Sequence, residues 1–319
     1  MPQLSVIIPI YRVEKYIEQC ARSLFEQTLI DLEYIFINDC SPDHSIKVLQ
    51  HVLEEYPHRK AQVKILHNKQ NLGQSGTRYR GMKLASGDYI IHCDSDDWVD
   101  KDYYQTIVQK INETQAEIII CDYITEYVNQ SRAIKYDNFS HPHDRIRMKR
   151  QLLWSLCCTA IKRTLIEKYE IYPPRGINMT EDFNMLVRAC YYAKTITNMH
   201  GPMYHYRCDR SDSIVNTSKK SQKILLEQRK SLQQIVDFLI EKNFDAGEGM
   251  LISKRNMRDF FLSIDDYNNW KQTFPEVVDY VYNDTSMPKI YRILYKLGSK
   301  HWLLPFKIYR LMSTFKKSK

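Results

Sequence analysis

The stretch DYIIHCDSDD, residues 88–97, decides the fold class because it joins an apolar run, typical of a buried strand, to a cluster of acids. Asp94, Asp96 and Asp97 place three carboxylates within four residues directly after that run. In open α/β sheets, ligands bind beyond the carboxyl ends of the strands. The stretch therefore predicts a strand that ends at a ligand site.

Strand-like and helix-like segments alternate on both sides of this stretch, which is the pattern of a parallel sheet covered by crossover helices. The predicted strands are residues 4–10, 33–37, 63–67, 88–93 and 117–123. The predicted helices are residues 14–27, 42–56, 74–85 and 102–112, the second of them opened by Ser41 or Pro42. Residues 1–125 are therefore predicted to form a doubly wound α/β half-domain.

The pattern changes after residue 125. Residues 126–215 mix short strands, short helices and loops, and residues 216–319 show almost only helical periodicity. We expect a lobe that completes the first domain up to residue 215, followed by a helical C-terminal region. A chain of 319 residues with 43% hydrophobic residues is long enough for one large or two modest domains with proper cores.

The net charge of +8 is concentrated at one end of the chain. Residues 287–319 contain nine Lys or Arg and no acid, whereas the other 286 residues contain 37 basic and 38 acidic residues. A nucleic-acid-binding protein would carry basic residues over a face of its main domain. The charge distribution therefore argues against a nucleic-acid partner.

The basic C-terminal segment has the pattern of amphipathic helices, which bind the surface of anionic membranes. The alternative is a helix that packs on the protein and leaves its basic side in solvent. The apolar positions are Ile290, Ile293, Leu294 and Leu297, then Ile308, Leu311, Met312 and Phe315, with Trp302 between the two groups. The basic positions are Lys289, Arg292, Lys296 and Lys300, then Lys307, Arg310, Lys316 and Lys317.

The eight cysteines form no CxxC pair, and the N-terminus shows no signal-peptide pattern. No stretch approaches the roughly 20 apolar residues that span a bilayer. We therefore expect reduced thiols and a cytoplasmic protein that does not cross a membrane.

The three carboxylates at residues 94–97 predict a divalent metal site. Like charges this close raise one another's pKa unless a cation lies among them. A small number of hard oxygen ligands suits Mg²⁺ or Mn²⁺, which usually bridge to a substrate phosphate. The alternative is a solvated turn in which Asp97 or Asp100 caps the next helix.

Two other segments carry candidate site residues. In NLGQSGTRYRG, residues 71–81, the glycines permit close backbone approach, and Arg78 near a helix start suits an anionic group. The alternative there is an ordinary helix start with a surface arginine. In TED, residues 180–182, Thr180 is a candidate N-cap with two acidic residues in the first helical turn. This arrangement is compatible with a catalytic role for one of the two carboxylates.

Together these residues resemble the family 2 glycosyltransferases of the GT-A fold, which build bacterial polysaccharides from nucleotide sugars. The resemblance covers about residues 4–215. It depends on five motifs in order: SVIIPIYRVEKYI, INDCSPDHS, NLGQSGTRYRG, DSDD and TED. It implies a nucleotide-sugar-binding half at residues 1–125, an acceptor-side lobe at 126–215 and a catalytic domain at 1–215.

The resemblance also implies roles for single residues. Asp182 is expected to be the catalytic base, with Glu181 beside it, and Asp96 and Asp94 are expected to hold Mn²⁺ or Mg²⁺. The residues expected to bind the donor are Pro9, Tyr11, Asp39, Asn71, Arg78, Asp94 and Ser95. Asp39 would accept a hydrogen bond from a uracil-type base, and Arg78 would help to fix the nucleotide.

These roles imply an inverting transfer in a single displacement, in which Asp182 deprotonates an acceptor hydroxyl while the metal and Arg78 stabilise the leaving diphosphate. A UDP-sugar donor is favoured. The acceptor would be a saccharide or lipid-linked saccharide of cell-surface polysaccharide or glycolipid synthesis, used at the inner face of the cytoplasmic membrane.

Residues 203–216, MYHYRCDRSDSIVN, resemble the family segment that closes the active site. Arg207 and the serines of this segment could contact the diphosphate or the acceptor, and His205 is a candidate third metal ligand, although an isolated strand histidine is more often structural. Two other functions stay open: a catalytically silent nucleotide-sugar-binding module, and a phosphohydrolase of the haloacid-dehalogenase type, which also places DxD after a buried strand.

Overall fold

The computed structural model describes residues 2–148, 154–209, 221–300 and 302–317, with side chains up to residue 310 in the last range. The chain divides into two compact units. Unit 1 comprises residues 1–146 and 152–216, and unit 2 comprises residues 147–151 and 217–319.

Unit 1 is built around one sheet. Its strands are β1 (Leu4–Ile10), β2 (Leu32–Asn38), β3 (Val63–His67), β4 (Tyr89–His92), β5 (Trp98–Val99), β6 (Ile118–Tyr127), β7 (Gln130–Ile134), β8 (Thr159–Lys162) and β9 (Ile196–Arg207). Among the described residues these nine strands follow the order β3, β2, β1, β4, β8, β6, β9, β5, and β7 pairs with β6.

The sheet is mostly parallel. β1 pairs in parallel with β2 and with β4, β2 with β3, and β6 with β9. β8 is antiparallel to both of its neighbours, β4 and β6. The predicted α/β class with a mostly parallel sheet is confirmed.

Helices cover the sheet because the central strands are apolar on both faces, as parallel strands are when helices pack on each side. Six of the seven residues of β1 are buried, and so are six of the seven of β2. The helices of unit 1 are α1 (Ile17–Phe25), α2 (Ser45–Glu55), α3 (Gly73–Leu84), α4 (Tyr103–Thr114), α5 (Pro142–Arg147, whose last residue belongs to unit 2), α6 (Arg163–Tyr169) and α7 (Glu181–Tyr192).

Two predicted helix starts are wrong. α1 begins at Ile17 rather than at residue 14, because Arg12 has a positive φ of 54° and the backbone turns there before the helix forms. α2 begins at Ser45 rather than at Pro42, because Ser41 is part of a turn. The Ser41 amide donates to Asn38 Oδ1 at 2.8 Å, and the Ser41 hydroxyl donates to Asp43 Oδ1 at 2.6 Å.

Among the described residues of unit 2 every regular element is a helix, as the sequence predicts. Its helices are α8 (Gln222–Glu241), α9 (Gly247–Ser263), α10 (Tyr267–Gln272), α11 (Val277–Asn283), α12 (Lys289–Lys300) and α13 (Leu303–Lys317). Trp270 and Phe306 stack in its core with ring centroids 5.0 Å apart, and the Arg258 guanidinium lies 4.6 Å from the Trp270 ring. Among the described residues no helix has the length and apolar character needed to pass through a bilayer.

Candidate active site

The parallel strands β1, β2 and β4 bring three loops to one edge of the sheet. β1 leads to Pro9 and Tyr11, β2 leads to Asp39, and β4 leads to the DSDD turn, which we define as residues 94–97. The Ser95 hydroxyl donates a 2.7 Å hydrogen bond to the Pro9 carbonyl, so the loops after β1 and β4 are joined. Tyr11 lies at the mouth of this edge with 42% of its surface exposed.

Asp39 fixes the loop that precedes α3. Its Oδ1 accepts hydrogen bonds from Asn68 Nδ2 and the Leu72 amide, both at 2.7 Å, and its Oδ2 accepts one from the Gly73 amide at 2.9 Å. Asn71 Nδ2 donates to the Asp39 carbonyl at 3.0 Å. Because a carboxylate has about four acceptor sites, these three hydrogen bonds do not use its full acceptor capacity.

Of the three acids of the DSDD turn, Asp97 has a structural role. Asp97 is buried, and its carboxylate accepts hydrogen bonds from the Tyr204 hydroxyl at 2.5 Å and the Arg207 amide at 2.7 Å. Burial, together with the charges of Asp96 and Asp94, raises the pKa of Asp97 well above its ordinary value. Asp97 therefore holds β9 in place, and the capping roles considered for Asp97 and Asp100 are not seen in the helix α4, whose N-cap position is Asp102.

Arg78, on α3, is at the centre of the site. Its Nη2 donates to Asp94 Oδ1 at 2.7 Å, and its Nη1 donates to Glu181 Oε1 at 2.9 Å and to Asp182 Oδ1. Only 1% of the side chain is exposed. Burial alone would lower the pKa of Arg78, but the charges of Asp182, Asp94 and Glu181 outweigh burial and hold the pKa well above its ordinary value. The alternative interpretation of Arg78 as a surface arginine is therefore wrong.

Glu181 and Asp182 differ in exposure although they are adjacent at the start of α7. The Glu181 side chain is 5% exposed, whereas that of Asp182 is 20% exposed and also accepts a 3.1 Å hydrogen bond from the Leu156 amide. Burial and the charge of Asp182 raise the pKa of Glu181 to about 8, although Arg78 opposes the shift. Burial also raises the pKa of Asp182, with Arg78 opposing.

Thr180 does not cap α7 in the way considered from the sequence. It occupies the N-cap position, but its φ is +65° and its side chain makes no capping hydrogen bond. A positive φ is a backbone outlier for a β-branched residue, at a cost on the order of 1–3 kcal/mol. The strained residue immediately precedes the two acids that Arg78 contacts.

His205 does not act as a third metal ligand in this arrangement. Its Nδ1 lies 2.7 Å from Glu126 Oε1, its Nε2 lies 3.0 Å from Asp100 Oδ1, and its ring stacks on Trp98 with centroids 5.1 Å apart. Both ring nitrogens are thus engaged by acids outside the DSDD turn. The structural role considered from the sequence fits these contacts.

Arg207 spans the outside of the DSDD turn. Its Nε donates to the Asp96 carbonyl at 2.8 Å, its Nη2 donates to Gln19, and its guanidinium lies 4.7 Å from the Trp98 ring. Its Nη2 thus lies beside α1, and its Nη1 lies 3.8 Å from Asp209 Oδ1. The serines of the segment 203–216 lie outside the described residues.

Whether a divalent cation fits this site depends on the acids of the DSDD turn other than Asp97. Within the described residues no group of three His, Cys, Asp or Glu side chains is arranged to hold a metal. The sequence predicts Asp94 and Asp96 of the DSDD turn as the metal ligands, and of these Asp94 pairs with Arg78 at 2.7 Å. Two carboxylates suit Mg²⁺ or Mn²⁺, which complete their coordination with waters and substrate phosphate oxygens.

The structure brings most of the predicted residues into two clusters. One joins Asp39 to Asn71, and the other joins Arg78 to Asp94, Glu181 and Asp182. Sequence reasoning missed Tyr204 and the Leu156 amide. A buried tyrosine one residue before the candidate ligand His205 gives no signal of its own, and a backbone amide gives none at all.

Comparisons with known proteins indicate the family of the chain. The model of a family described as glycosyl transferase family 2 matches residues 5–169. Over 221 residues the chain is 28% identical to EpsJ of Bacillus subtilis, named an uncharacterized glycosyltransferase, which covers 65% of this chain and 61% of EpsJ. Over 223 residues it is 26% identical to the poly(ribitol-phosphate) beta-N-acetylglucosaminyltransferase TarS of Staphylococcus aureus, which covers 68% of this chain and 38% of TarS. The chain thus spans less than two thirds of either relative.

Solved structures share the fold. The structure of S. aureus TarS residues 1–349 in complex with UDP-GlcNAc superposes with a TM-score of 0.67 at 16% identity, over 98% of this chain and 92% of that one. A mannosyltransferase of Pyrobaculum calidifontis in complex with GDP-Man and Mn²⁺ gives a TM-score of 0.53 at 14% identity, over 98% and 83%. At these identities the likeness shows the fold alone.

Proposed function

The chain belongs to glycosyl transferase family 2, and on that premise we propose that it is an inverting glycosyltransferase. It moves a sugar from a nucleotide sugar to an acceptor hydroxyl in the synthesis of a cell-surface polysaccharide or glycolipid. Unit 1, which contains the predicted domain 1–215 almost entirely, carries the reaction. Membership of this family excludes the phosphohydrolase alternative.

The observation that carries the proposal is the position of Asp182. Through Arg78 it is joined to Asp94, the first acid of the DSDD turn, so a base and the donor-binding turn lie on opposite sides of one guanidinium. A base must lie within hydrogen-bond reach of the proton it takes. An acceptor hydroxyl beside Asp182 would therefore attack a sugar whose diphosphate lies at the DSDD turn.

The exposure and pKa of the two adjacent acids favour Asp182 over Glu181 as the base. With its pKa raised to about 8, Glu181 holds a proton at neutral pH. Asp182 is more exposed and accepts hydrogen bonds from Arg78 and Leu156, which stabilise its ionised form. Burial raises the pKa of Asp182 as well, but Arg78 and the Leu156 amide oppose that shift.

The donor would lie across the ends of β1, β2 and β4. Asp39 would use its remaining acceptor site for the N3–H of a uracil base, Tyr11 would cover the base, and Asn71 and Ser95 would fix the adjacent loops. A UDP-sugar is favoured because the TarS structure of this fold carries UDP-GlcNAc, while the GDP-Man complex indicates that the fold also admits a guanine nucleotide.

Asp94 and Asp96 would hold Mn²⁺ or Mg²⁺. When bound, such an ion neutralises charge that develops on the departing diphosphate. Arg78 adds a fixed positive charge beside Asp94, in a buried site where electrostatic interactions are strong. With Asp182 as the single base behind the sugar, one displacement inverts the anomeric carbon.

The test is Asp182→Asn in the full chain. We expect donor binding, measured by calorimetry with UDP and Mn²⁺, to stay near wild type while the rate of UDP release in the presence of acceptor falls about 10²–10⁴-fold. The matched control is Glu113→Gln, an exposed acid on α4 paired with Lys110 at 3.1 Å, which should change neither quantity.

A variant Asp182→Asn that keeps the wild-type rate contradicts the assignment of the base. A wild-type protein that binds nucleotide sugars and never turns them over supports the silent binding module instead. Thermal-shift screening of UDP, GDP and dTDP sugars with Mn²⁺ identifies the donor before these measurements.

We also propose that unit 2 binds an anionic membrane surface, which would bring the active site to a lipid-linked acceptor at the inner face of the cytoplasmic membrane. The helix α12 turns Tyr295 and Gly298 towards the core of unit 2. Ile290, Ile293 and Leu297 are exposed instead, next to the exposed cations Lys289 and Lys300.

The exposed apolar surface continues past α12. Trp302 is 66% exposed, Leu304 is 68% exposed, and Ile308 on α13 is also exposed. Apolar side chains interleaved with cations match the boundary of anionic headgroups. The side chains of Leu311, Met312, Phe315, Lys316 and Lys317 lie outside the described residues.

A further inference from the structure

His92 is a buried histidine whose two ring nitrogens have no hydrogen-bond partner. It ends β4, where the other three residues are Tyr89, Ile90 and Ile91, and it is 1% exposed. A buried polar group without a partner is costly, and in a native structure such a group calls for an explanation. The mechanism above gives His92 no role.

The register of the sheet places His92 on the same face as α3. His92 pairs in parallel with Ile7 of β1, and paired residues of parallel strands point to the same face. Ile7 faces α3, because a Cβ added at Gly81 would lie 2.5 Å from Ile7 Cγ2. Arg78 lies three residues before Gly81 and therefore on the same side of the helix.

The His92 imidazole is a buried polar group on the sheet face that α3 covers. A neutral imidazole offers one acceptor nitrogen and one N–H donor.

Arg78 lacks a partner at the matching atom. Its two terminal nitrogens are engaged by Asp94, Glu181 and Asp182, whereas its Nε–H is buried and has no acceptor. The site therefore contains a buried donor and a buried acceptor, each without a partner, on two side chains that lie on the same side of the sheet.

We propose that His92 is a positioning residue for Arg78 and is linked to its Nε–H through one ordered water. No direct hydrogen bond joins the two side chains, so the water would accept from Nε–H and donate to the acceptor nitrogen of the ring. Held at Nε, the guanidinium keeps its terminal nitrogens directed at Asp94 and Asp182 when a diphosphate competes for them. This role rests on the proposed glycosyl transfer.

The kinetic test compares His92→Phe, which keeps a ring but removes the acceptor, with His92→Gln, which keeps an acceptor. A misplaced catalytic group costs up to about 10²-fold in rate. We expect His92→Phe to lower kcat at least about tenfold with little change in KM for the donor, and His92→Gln to recover most of kcat. The control is Ile91→Val, a buried change on the other face of β4, which should lower the thermal midpoint without changing kcat.

A spectroscopic measurement separates this inference from the proposed function, because it needs no turnover. In ¹⁵N-labelled wild-type protein, Arg78 should give an Nε–H signal protected from solvent exchange, assigned by its loss in Arg78→Lys. Its shift should change in His92→Phe and be retained in His92→Gln.

An Nε–H signal that is the same in His92→Phe as in wild type overturns the inference, even if the enzyme is active. Equal losses of kcat in the Phe and Gln variants also overturn it, because they indicate a steric role alone. If the wild-type protein transfers no sugar but the signal behaves as expected, the proposed function fails and the link between His92 and Arg78 stands.

Discussion

Arg78 faces three carboxylates with a single positive charge. The guanidinium forms ion pairs with Asp94, Glu181 and Asp182 in a buried site. A proton on Glu181 reduces the excess of negative charge there at neutral pH. Removing one partner of a buried ion pair costs about 3–5 kcal/mol because a buried charge is left uncompensated. The arrangement is therefore sensitive to each of its members, and pH acts on it through Glu181.

The raised pKa of Glu181 gives a pH dependence of stability with a definite sign. The folded protein binds this proton more tightly than the unfolded chain, so its contribution to stability is fully present below the ordinary glutamate pKa and is lost as pH rises to about 8. Glu181→Gln cannot ionise. We therefore expect the thermal midpoint of Glu181→Gln, relative to that of wild type, to rise by several degrees between pH 5 and pH 8. This shift corresponds to about 1–2 kcal/mol of stability.

Differential scanning fluorimetry at several pH values measures this gain. A difference between variant and wild type that is the same at pH 5 and pH 8 contradicts the assignment of the proton to Glu181. Glu167→Gln, an exposed acid paired with Arg163 at 2.7 Å, serves as the control and should show no such trend.

At the residue level, sequence could predict the acids and the arginine but not how they pair. The motifs give Arg78, Asp94 and Asp182 because each follows a recognisable strand or helix start. That Arg78 joins the other two depends on the angle at which α3 and α7 cross the sheet, which no local pattern encodes. The positive φ of Thr180 likewise results from packing that overrides the preference of a β-branched residue.

At the element level, the close approach of α3 to the sheet depends on Gly81. A Cβ at this position would lie 2.5 Å from Ile7 Cγ2 and 2.8 Å from Ile37 Cδ1, both closer than such contacts normally come. Because α3 also carries Arg78, displacement of the helix would move the guanidinium away from the acids of α7 and the DSDD turn.

We therefore expect Gly81→Ala to lower stability by about 1–3 kcal/mol, as overpacked cores do, and to lower kcat as well. Chemical denaturation and initial-rate assays measure the two effects. Leu84→Ala, on the exposed end of the same helix, should stay within about 0.5 kcal/mol of wild type. A Gly81→Ala protein with unchanged stability and rate would show that α3 can shift without consequence.

Helices and strands could be predicted where the segment is long and its apolar residues follow a clear pattern. The five predicted strands all occur. Buried parallel strands such as β1 and β2 appear as continuous apolar runs, whereas the five residues of β3 are half-buried or exposed. β5 has only two residues, Trp98 and Val99, and is held by pairing with β9 from more than a hundred residues away. Such a strand has no local signature and could not have been predicted.

At the level of the whole molecule, the exposed apolar surface of unit 2 should determine membrane binding. Replacing Ile293, Leu297 and Trp302 by Gln in the full chain removes apolar area that is already exposed, so folding should be unaffected. We expect binding to vesicles of phosphatidylcholine and phosphatidylglycerol to weaken at least about tenfold, since tenfold corresponds to only about 1.4 kcal/mol.

Flotation with and without phosphatidylglycerol, at low and high salt, separates the apolar and electrostatic contributions, because salt screens only the second. The control is Ile240→Gln, an exposed apolar residue on α8 outside the basic segment. Wild-type protein that floats equally with neutral and anionic vesicles, or with neither, contradicts an anionic membrane partner.

The way Asp97 is held has a consequence for how the protein forms during translation. The two groups that donate to its buried carboxylate, on Tyr204 and Arg207, are 107 and 110 residues further along the chain. Before the ribosome has synthesised Arg207, these hydrogen bonds to the Asp97 carboxylate cannot all form. The DSDD turn therefore cannot reach its final conformation early. Because contacts between distant residues slow folding, the sheet edge that carries the DSDD turn should be among the last parts of unit 1 to fold on the ribosome.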